Sequence, residues 1–212
     1  MAIQLAGSTG SVAEVDPTFQ ALRASLRPEQ SINWNSLAGV SGNLTGVAIN
    51  GPVFSFRNIG SSLMLFHRVL VSFTTTTAFT TAQAVQYNLI KATGFTASDS
   101  GGTPLNATPG QNKHRTSMAN PATAPDIRIS STGVLTAGTR TLETQPIGAA
   151  NAWSGGAGST LPQTQLLSHD AGDYPFILAQ NEGLIITNAV AMGAAGAGTL
   201  IVNIEWSEAN SY

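Results

Sequence analysis

From residue 44 onward, apolar and polar positions alternate in short runs that end at glycine, proline or serine. This pattern predicts half-buried β-strands separated by turns. The clearest run covers residues 199–207, where Leu200, Val202, Ile204 and Trp206 share one face. We therefore expect these four side chains to point into a core.

Residues 63–73 are apolar on both faces of a strand, which predicts a central strand with both faces covered. In this alternation His67 shares a face with Val69 and Val71 and is interpreted as a hydrogen-bonded core residue. The other predicted strands cover residues 44–50, 53–59, 84–93, 126–130 and 184–191.

Residues 183–204 contain no charged side chain over a length that could cross a bilayer. The internal residues Asn188 and Asn203, the glycines and the alternation favour two strands joined by a Gly-rich turn. We therefore expect a final hairpin and no membrane partner.

Many short strands and little helix predict an all-β fold, an antiparallel β-sandwich or jelly roll, over residues 43–212. Residues 1–42 are predicted to form an N-terminal extended arm with a short helix, which begins at Asp16 and Pro17. The apolar stripe of this helix consists of Phe19, Leu22 and Leu26. So short a helix is unstable alone, so the stripe must dock on its own sheet or on a neighbouring subunit.

Two tryptophans and two long segments are candidate contact elements. Trp34 stands between two asparagines and packs either on its own domain or on another subunit. Residues 94–125 are long and polar, and residues 144–168, which include Trp153, carry no charge. Residues 144–168 sustain no strand or helix period, so we expect irregular structure there, whereas residues 94–125 are expected to form a long loop of the kind that is functional or mobile.

Only 20 of the 212 residues are charged, or 9%, against about 25% in an average globular domain. The net charge of −2 provides no basic surface for nucleic acid, which is excluded as a partner. The absence of cysteine excludes disulfides and thiolate metal sites. The N-terminus lacks the features of a secretory signal, and we expect a protein released in the cytosol.

The few charges are segregated by sign along the chain. All nine Lys and Arg residues lie at or before Arg140, where the net charge is +4, whereas residues 141–212 carry −6. Either the two halves interleave and neutralise each other within one subunit, or the two signs mark different surfaces that favour head-to-tail association.

The motifs of enzymes are absent. No phosphate-binding loop and no nucleophile elbow occur, and the three histidines lie far apart along the chain. A cluster at His169, Asp170 and Asp173 could hold a cation, but turn formation explains its aspartates equally well. We therefore expect no enzyme activity, no catalytic, cofactor-binding or metal-binding residues, and no cofactor.

Residues 63–73, 95–103, 181–186 and 205–208 together resemble small virion structural proteins of tailed bacteriophages. The resemblance covers residues 50–208 and implies a jelly-roll or sandwich module, often trimeric, that decorates or cements a capsid. It transfers no catalytic or ligand-binding residue.

The expected function is that of a non-enzymatic virion protein that forms a homo-oligomer, a trimer, and contacts the major capsid protein or another virion protein. Its expected location is the virion, after assembly in the bacterial cytoplasm. The expected contact elements are Phe19, Leu22, Leu26, Trp34, Trp153 and the two long segments. The alternatives are a collar, tail or head-fibre component, or a carbohydrate-binding β-sandwich that stacks sugars on its tryptophans.

Overall fold

The computed structural model describes residues 33–105, 112–114, 124–169 and 175–209, all within one compact unit, Ser31–Tyr212. Over these ranges the chain is all-β and contains no helix, so none that could span a membrane. The strands are β1 (Asn33–Val40), β2 (Gly51–Arg57), β3 (Leu63–Thr77), β4 (Gln83–Thr93), β5 (Thr103–Pro104), β6 (Asp126–Ile129), β7 (Thr141–Leu142), β8 (Gly148–Ser154), β9 (Thr160–Ser168), β10 (Phe176–Leu178), β11 (Gly183–Asn188) and β12 (Ala197–Ala209).

The strands form two antiparallel sheets packed as a β-sandwich, which confirms the predicted sandwich. The first sheet, sheet A, has the order β1-β12-β3-β10, and β9 also pairs with β3. The second, sheet B, has the order β5-β6-β2-β11-β4-β7, and β8 also pairs with β4. β3 is a central strand, as its two apolar faces predicted.

The core lies between the two sheets and takes side chains from both. β12 contributes all four residues that its alternation predicted, Leu200, Val202, Ile204 and Trp206, each at most 3% exposed. β2, β3, β4 and β11 supply most of the remaining core side chains. Aromatic rings meet edge to face in this core, as where Phe56 contacts Phe66 and Trp206.

A β-bulge at His67 changes which positions of β3 point into the core. Trp206 lies opposite Phe66 and Glu205 lies opposite Arg68, so His67 is the extra residue between them. Before the bulge Phe66 points into the core, and after it Val69 does. The prediction that His67 shares a face with Val69 and Val71 is therefore wrong.

The predicted final hairpin is also wrong, although both of its strands exist. β11 belongs to sheet B and β12 belongs to sheet A, so the Gly-rich connection crosses from one sheet to the other. The alternation identifies a strand but not its partner.

Two other predictions of local structure fail. Residues 44–50 form a loop with a single isolated bridge, and Gly46 and Asn50 there have positive φ angles, which interrupt an extended strand. Most of residues 144–168 form β8 and β9 instead of irregular structure. β8 pairs only with β4 and β9 pairs only with β3, so both lie at a sheet edge. Edge strands tolerate polar residues, and their sequences therefore show only a weak alternation of apolar and polar positions.

The predicted N-terminal helix, with Phe19, Leu22 and Leu26, lies outside the described residues, as do Asp170 and Asp173. Residues 33–40, which belong to the predicted arm, form β1 along the edge of sheet A.

Candidate functional site

All three histidines of the chain meet on the outer side of sheet A, around Trp34. The indole of Trp34, on β1, stacks on the imidazole of His67, on β3, with ring centroids 4.0 Å apart and planes 13° apart. The His114 ring lies 5.7 Å from Trp34, and the His169 ring lies 5.7 Å from His67. Residues separated by up to 135 positions thus form one cluster.

Backbone hydrogen bonds hold two of these histidines in position. The amide of His114 donates to the carbonyl of Trp34 at 2.9 Å. The amide of His169 donates to the carbonyl of His67 at 2.8 Å. The bulge at His67 turns the imidazole toward Trp34 and away from the core.

The carboxylate of Glu205 is the acidic centre of this cluster. Its Oε1 accepts a hydrogen bond from Trp34 Nε1 at 3.0 Å and lies 3.6 Å from His114 Nε2. Its Oε2 lies 2.9 Å from the guanidinium of Arg68. We call Trp34, His67, His114, His169 and Glu205 together the histidine clasp.

His67 is the most buried imidazole of the clasp, with 7% of its surface exposed. Its Nε2 is 2.8 Å from Ser207 Oγ. Burial lowers the pKa of His67 from 6.5 to about 4, and the facing imidazoles of His169 and His114 act in the same direction, whereas Glu205 opposes them. His67 is therefore neutral at pH 7.

The clasp lacks the features of a catalytic or metal centre. The His67–Ser207 contact resembles a nucleophile–base pair, but Ser207 has no exposed surface through which a substrate could reach it. Among the described residues, no group of three or more His, Cys, Asp or Glu side chains is placed to hold a metal ion. The geometry is that of a structural contact between segments.

A shallow groove of about 470 Å³ runs beside the clasp along the outer face of sheet A. Its lining is mainly polar and includes Ser36, Arg68, Asn112, Gln163, Asn203 and Glu205. Arg68 and Glu205 thus belong to both the clasp and the groove wall.

At the opposite end of the sandwich, the described connections between the two sheets carry no charged side chain. Four connections between the sheets meet there, at residues 41–50, 78–82, 155–159 and 189–196, and none contains Asp, Glu, Lys or Arg. Hydrogen bonds join the first and the last of these connections: Met192 donates its amide to the Val47 carbonyl, and the Thr45 hydroxyl donates to the Ala194 carbonyl. The Thr45 amide also donates to the carbonyl of Thr132, which lies outside the four connections. We call this region the charge-free end.

Large apolar side chains are exposed at the charge-free end. Trp153, at the end of β8, is 69% exposed, Ile49 is 61% exposed and Val40 is 56% exposed. Val134 is also exposed and lies against Gly51, at the start of β2. Four of the five exposed large hydrophobic residues of the described chain therefore lie at this end.

The predicted contact residues Trp34 and Trp153 lie in different surroundings. Trp34 is partly buried between two imidazoles of the same chain, whereas Trp153 faces solvent. They also lie toward opposite ends of the sandwich, because Trp34 is near the start of β1 and Trp153 is near the end of β8. The two tryptophans therefore cannot line one sugar site together.

Ion pairs join the basic first part of the chain to its acidic last part. Arg68 pairs with Glu205, and Lys91 Nζ lies 3.3 Å from Glu182 Oε1. Both pairs arise because β3 neighbours β12 and β4 neighbours β11. Some of the positive charge of the first part of the chain is thus neutralised by the acidic last part within one subunit, as in the first of the two alternatives.

The clasp could not be predicted from the sequence because its members share no local spacing. A strand bulge and two polar segments bring them together, and none of these leaves a periodic signal. The charge-free end could be predicted in part, because the sequence shows that its connections are uncharged. That these connections meet at one end of the sandwich depends on the order of the strands. The chain matches no protein-family model, no curated protein and no solved structure.

Proposed function

We propose that this chain is a non-enzymatic structural subunit of a virion that decorates or cements a bacteriophage capsid. The observation that carries the proposal is the charge-free end with its exposed Trp153, Ile49, Val40 and Val134. We further propose that this end is the surface through which the subunit contacts its partners.

The physical argument concerns the cost of desolvation. A charged side chain buried in an interface loses its hydration and must find a partner of opposite sign, whereas a neutral surface of small and apolar residues does not. Exposed aromatic residues such as Trp153 are typical of the residues that contribute most to interface energy. The charge-free end is therefore suited to burial against another protein surface.

The order of the strands supports the jelly-roll fold that the resemblance implies. The eight main strands follow the orders β1-β12-β3-β9 and β2-β11-β4-β8, and the chain passes repeatedly between the two sheets. We therefore propose that the sandwich is a jelly roll, an architecture found in viral capsid proteins and in lectins. A fold alone does not determine function, so it supports the proposal without carrying it.

We propose a homo-oligomer, most simply a trimer, that also contacts the major capsid protein or another virion protein. Its location is then the virion, after assembly in the bacterial cytoplasm. A collar, tail or head-fibre position fits the same surface chemistry and differs only in the partner protein.

Particles of the virus that encodes the chain provide the direct test. Particles stripped of the protein should rebind the recombinant wild-type chain, and Trp153→Glu should reduce this binding by about tenfold or more. The matched control is Ile59→Glu, since Ile59 is exposed on the connection between β2 and β3, at the other end. Failure of the wild-type chain to bind particles would contradict the proposal, and electron microscopy of labelled particles would distinguish capsid from collar, tail or fibre.

A second candidate is a carbohydrate-binding module, favoured by the 69% exposure of the Trp153 ring. Exposed indoles stack on sugar faces. This function predicts saturable binding of a glycan to an isolated monomer, observed as a change in tryptophan fluorescence and lost in Trp153→Ala. The virion proposal predicts no such saturable change.

A further inference from the structure

The groove on the outer face of sheet A crosses four strands. Its lining extends from Ser36 and Ala38 on β1, across Asn203 on β12 and Leu70 on β3, to Gln163 on β9. Three strand spacings of about 4.8 Å give the groove a length of roughly 14 Å. Its volume of about 470 Å³ is within the range of ligand-binding sites.

Side-chain amides are prominent among the polar groups of the groove. Asn112, Gln163 and Asn203 are lining residues, and a carboxamide can both donate and accept hydrogen bonds. Within the described ranges, the side-chain amides of Asn203 and Gln163 have no hydrogen-bond partner. The hydrogen-bonding capacity of these two amides is therefore available to a ligand.

The two charged groups of the groove neutralise each other. Arg68 Nη2 and Glu205 Oε2 are 2.9 Å apart, and the same carboxylate accepts the hydrogen bond of Trp34 Nε1. An anionic ligand would have to compete with Glu205 for the guanidinium, and a cationic ligand would have to compete with Arg68 for the carboxylate. The groove therefore favours a ligand without charge.

The histidine clasp fixes the orientation of this ion pair. Trp34 is held between the rings of His67 and His114, and it donates its indole N–H to Glu205 at 3.0 Å. Glu205 in turn holds the guanidinium of Arg68, whose side chain is 55% exposed, at the wall of the groove. Groups that are held in position before binding lose little conformational entropy when a ligand binds.

We propose that this groove binds a neutral oligosaccharide, whose hydroxyl groups bond to the amides and to the exposed side of the Arg68–Glu205 pair. The aliphatic side chains of Leu70 and Ala38 provide contacts for the C–H faces of the sugar rings. A polypeptide fits less well, because the backbone groups beneath the groove are already paired within sheet A and the lining offers only small aliphatic contacts to an apolar anchor.

This site differs in location from both proposed uses of Trp153. The groove-lining residues lie outside the four connections of the charge-free end. A subunit attached to a capsid through that end would therefore leave the groove open to a ligand. The inference is independent of the virion proposal, and it also does not require Trp153 to bind a sugar.

Heteronuclear NMR of the isotope-labelled full chain, titrated with neutral oligosaccharides one at a time, tests the proposal. The probes are maltohexaose, cellohexaose, xylohexaose and N-acetylchitohexaose at millimolar concentrations. The three indole N–H signals report on different places: Trp34 on the groove, Trp153 on the charge-free end and Trp206 on the core. At least one probe should shift the Trp34 signal saturably and leave the other two signals unchanged.

Alanine variants of the two amides test whether this groove is the binding site. Asn203→Ala and Gln163→Ala should each weaken binding about fivefold, which corresponds to the loss of one hydrogen bond. The matched control is Asn151→Ala, which removes an exposed amide from β8 of sheet B, and it should bind like the wild-type chain, as should Trp153→Ala. Gln163 is exposed, so its variant should stay folded even if Asn203→Ala does not.

Three results would each overturn the proposal: no shift of the Trp34 signal with any probe, a shift of the Trp153 signal instead, or binding that both alanine variants leave unchanged. A tryptic digest of casein is the polypeptide probe. A saturable shift of the Trp34 signal with this digest and with none of the oligosaccharides would assign the groove to peptides and would also overturn the proposal.

Discussion

The indole of Trp34 lies flat on the imidazole of His67, with ring centroids 4.0 Å apart. This contact spans three strands, because Trp34 is on β1, His67 is on β3 and β12 runs between them. Trp34 is paired with Ser207 of β12, and the hydroxyl of Ser207 contacts the imidazole of His67. The stack therefore joins the edge of sheet A to its centre.

Removal of the Trp34 ring should destabilise the fold much more than removal of the Trp153 ring. Trp34→Ala loses two ring contacts and the hydrogen bond to Glu205, which together correspond to about 2–3 kcal/mol. Trp153→Ala removes an exposed ring and should cost less than about 0.5 kcal/mol. Urea unfolding at pH 7 measures both values, and equal losses would show that the stack contributes nothing particular to stability.

The free energy of unfolding should decrease in acid partly through His67. The unfolded chain binds a proton at His67 near pH 6.5, whereas the folded chain binds it only near pH 4. The contribution is fully present above pH 6.5 and is lost as the pH falls to about 4, a change on the order of 3 kcal/mol.

Carboxylates also titrate in this range, so the comparison is between the wild-type chain and His67→Phe at each pH. The difference in unfolding free energy between the two proteins should shift in favour of the variant as the pH falls. Parallel curves for the two proteins from pH 7 to pH 4 would contradict this account.

Close packing at Gly198 should make even a methyl group costly. A Cβ added at Gly198 would lie 2.1 Å from Cζ of Phe73 and 2.7 Å from the carbonyl oxygen of Thr74. Gly198→Ala should therefore destabilise the fold by about 1–3 kcal/mol, because neither the buried ring nor the β3 backbone can move freely.

The matched control is Gly156→Ala, since a Cβ at Gly156 meets no atom within 4 Å. This variant should unfold within about 0.5 kcal/mol of the wild-type chain. Thermal or urea unfolding compares the two, and a neutral Gly198→Ala would mean that β12 and β3 pack less closely than described.

The sequence predicted the central strands well because burial leaves a strong periodic signal. β12 places Leu200, Val202, Ile204 and Trp206 in the core, as their alternation indicated. The predictions failed for edge strands and for the pairing of strands. β8 and β9 were missed because edge strands tolerate polar residues, and the β11–β12 connection was misassigned because alternation does not specify the sheet.

The candidate surfaces were less predictable than the fold. Only the bulge places His67 against Trp34, and a bulge of one residue cannot be read from a run in which both faces are apolar. His114 and His169 stand in segments with no periodicity. The uncharged connections were visible in the sequence, but the antiparallel pairing of eight strands brings them to one end.

The central claim is that the charge-free end is a surface for association between proteins. Sedimentation equilibrium of the wild-type chain, Trp153→Glu and Ile59→Glu at the same concentrations measures their oligomeric states and tests this claim most directly. The account predicts a discrete oligomer for the wild-type chain and for Ile59→Glu, and dissociation by Trp153→Glu, because the introduced carboxylate would be buried without a partner. A wild-type chain that is monomeric throughout, or an oligomer that Trp153→Glu leaves intact, would contradict it.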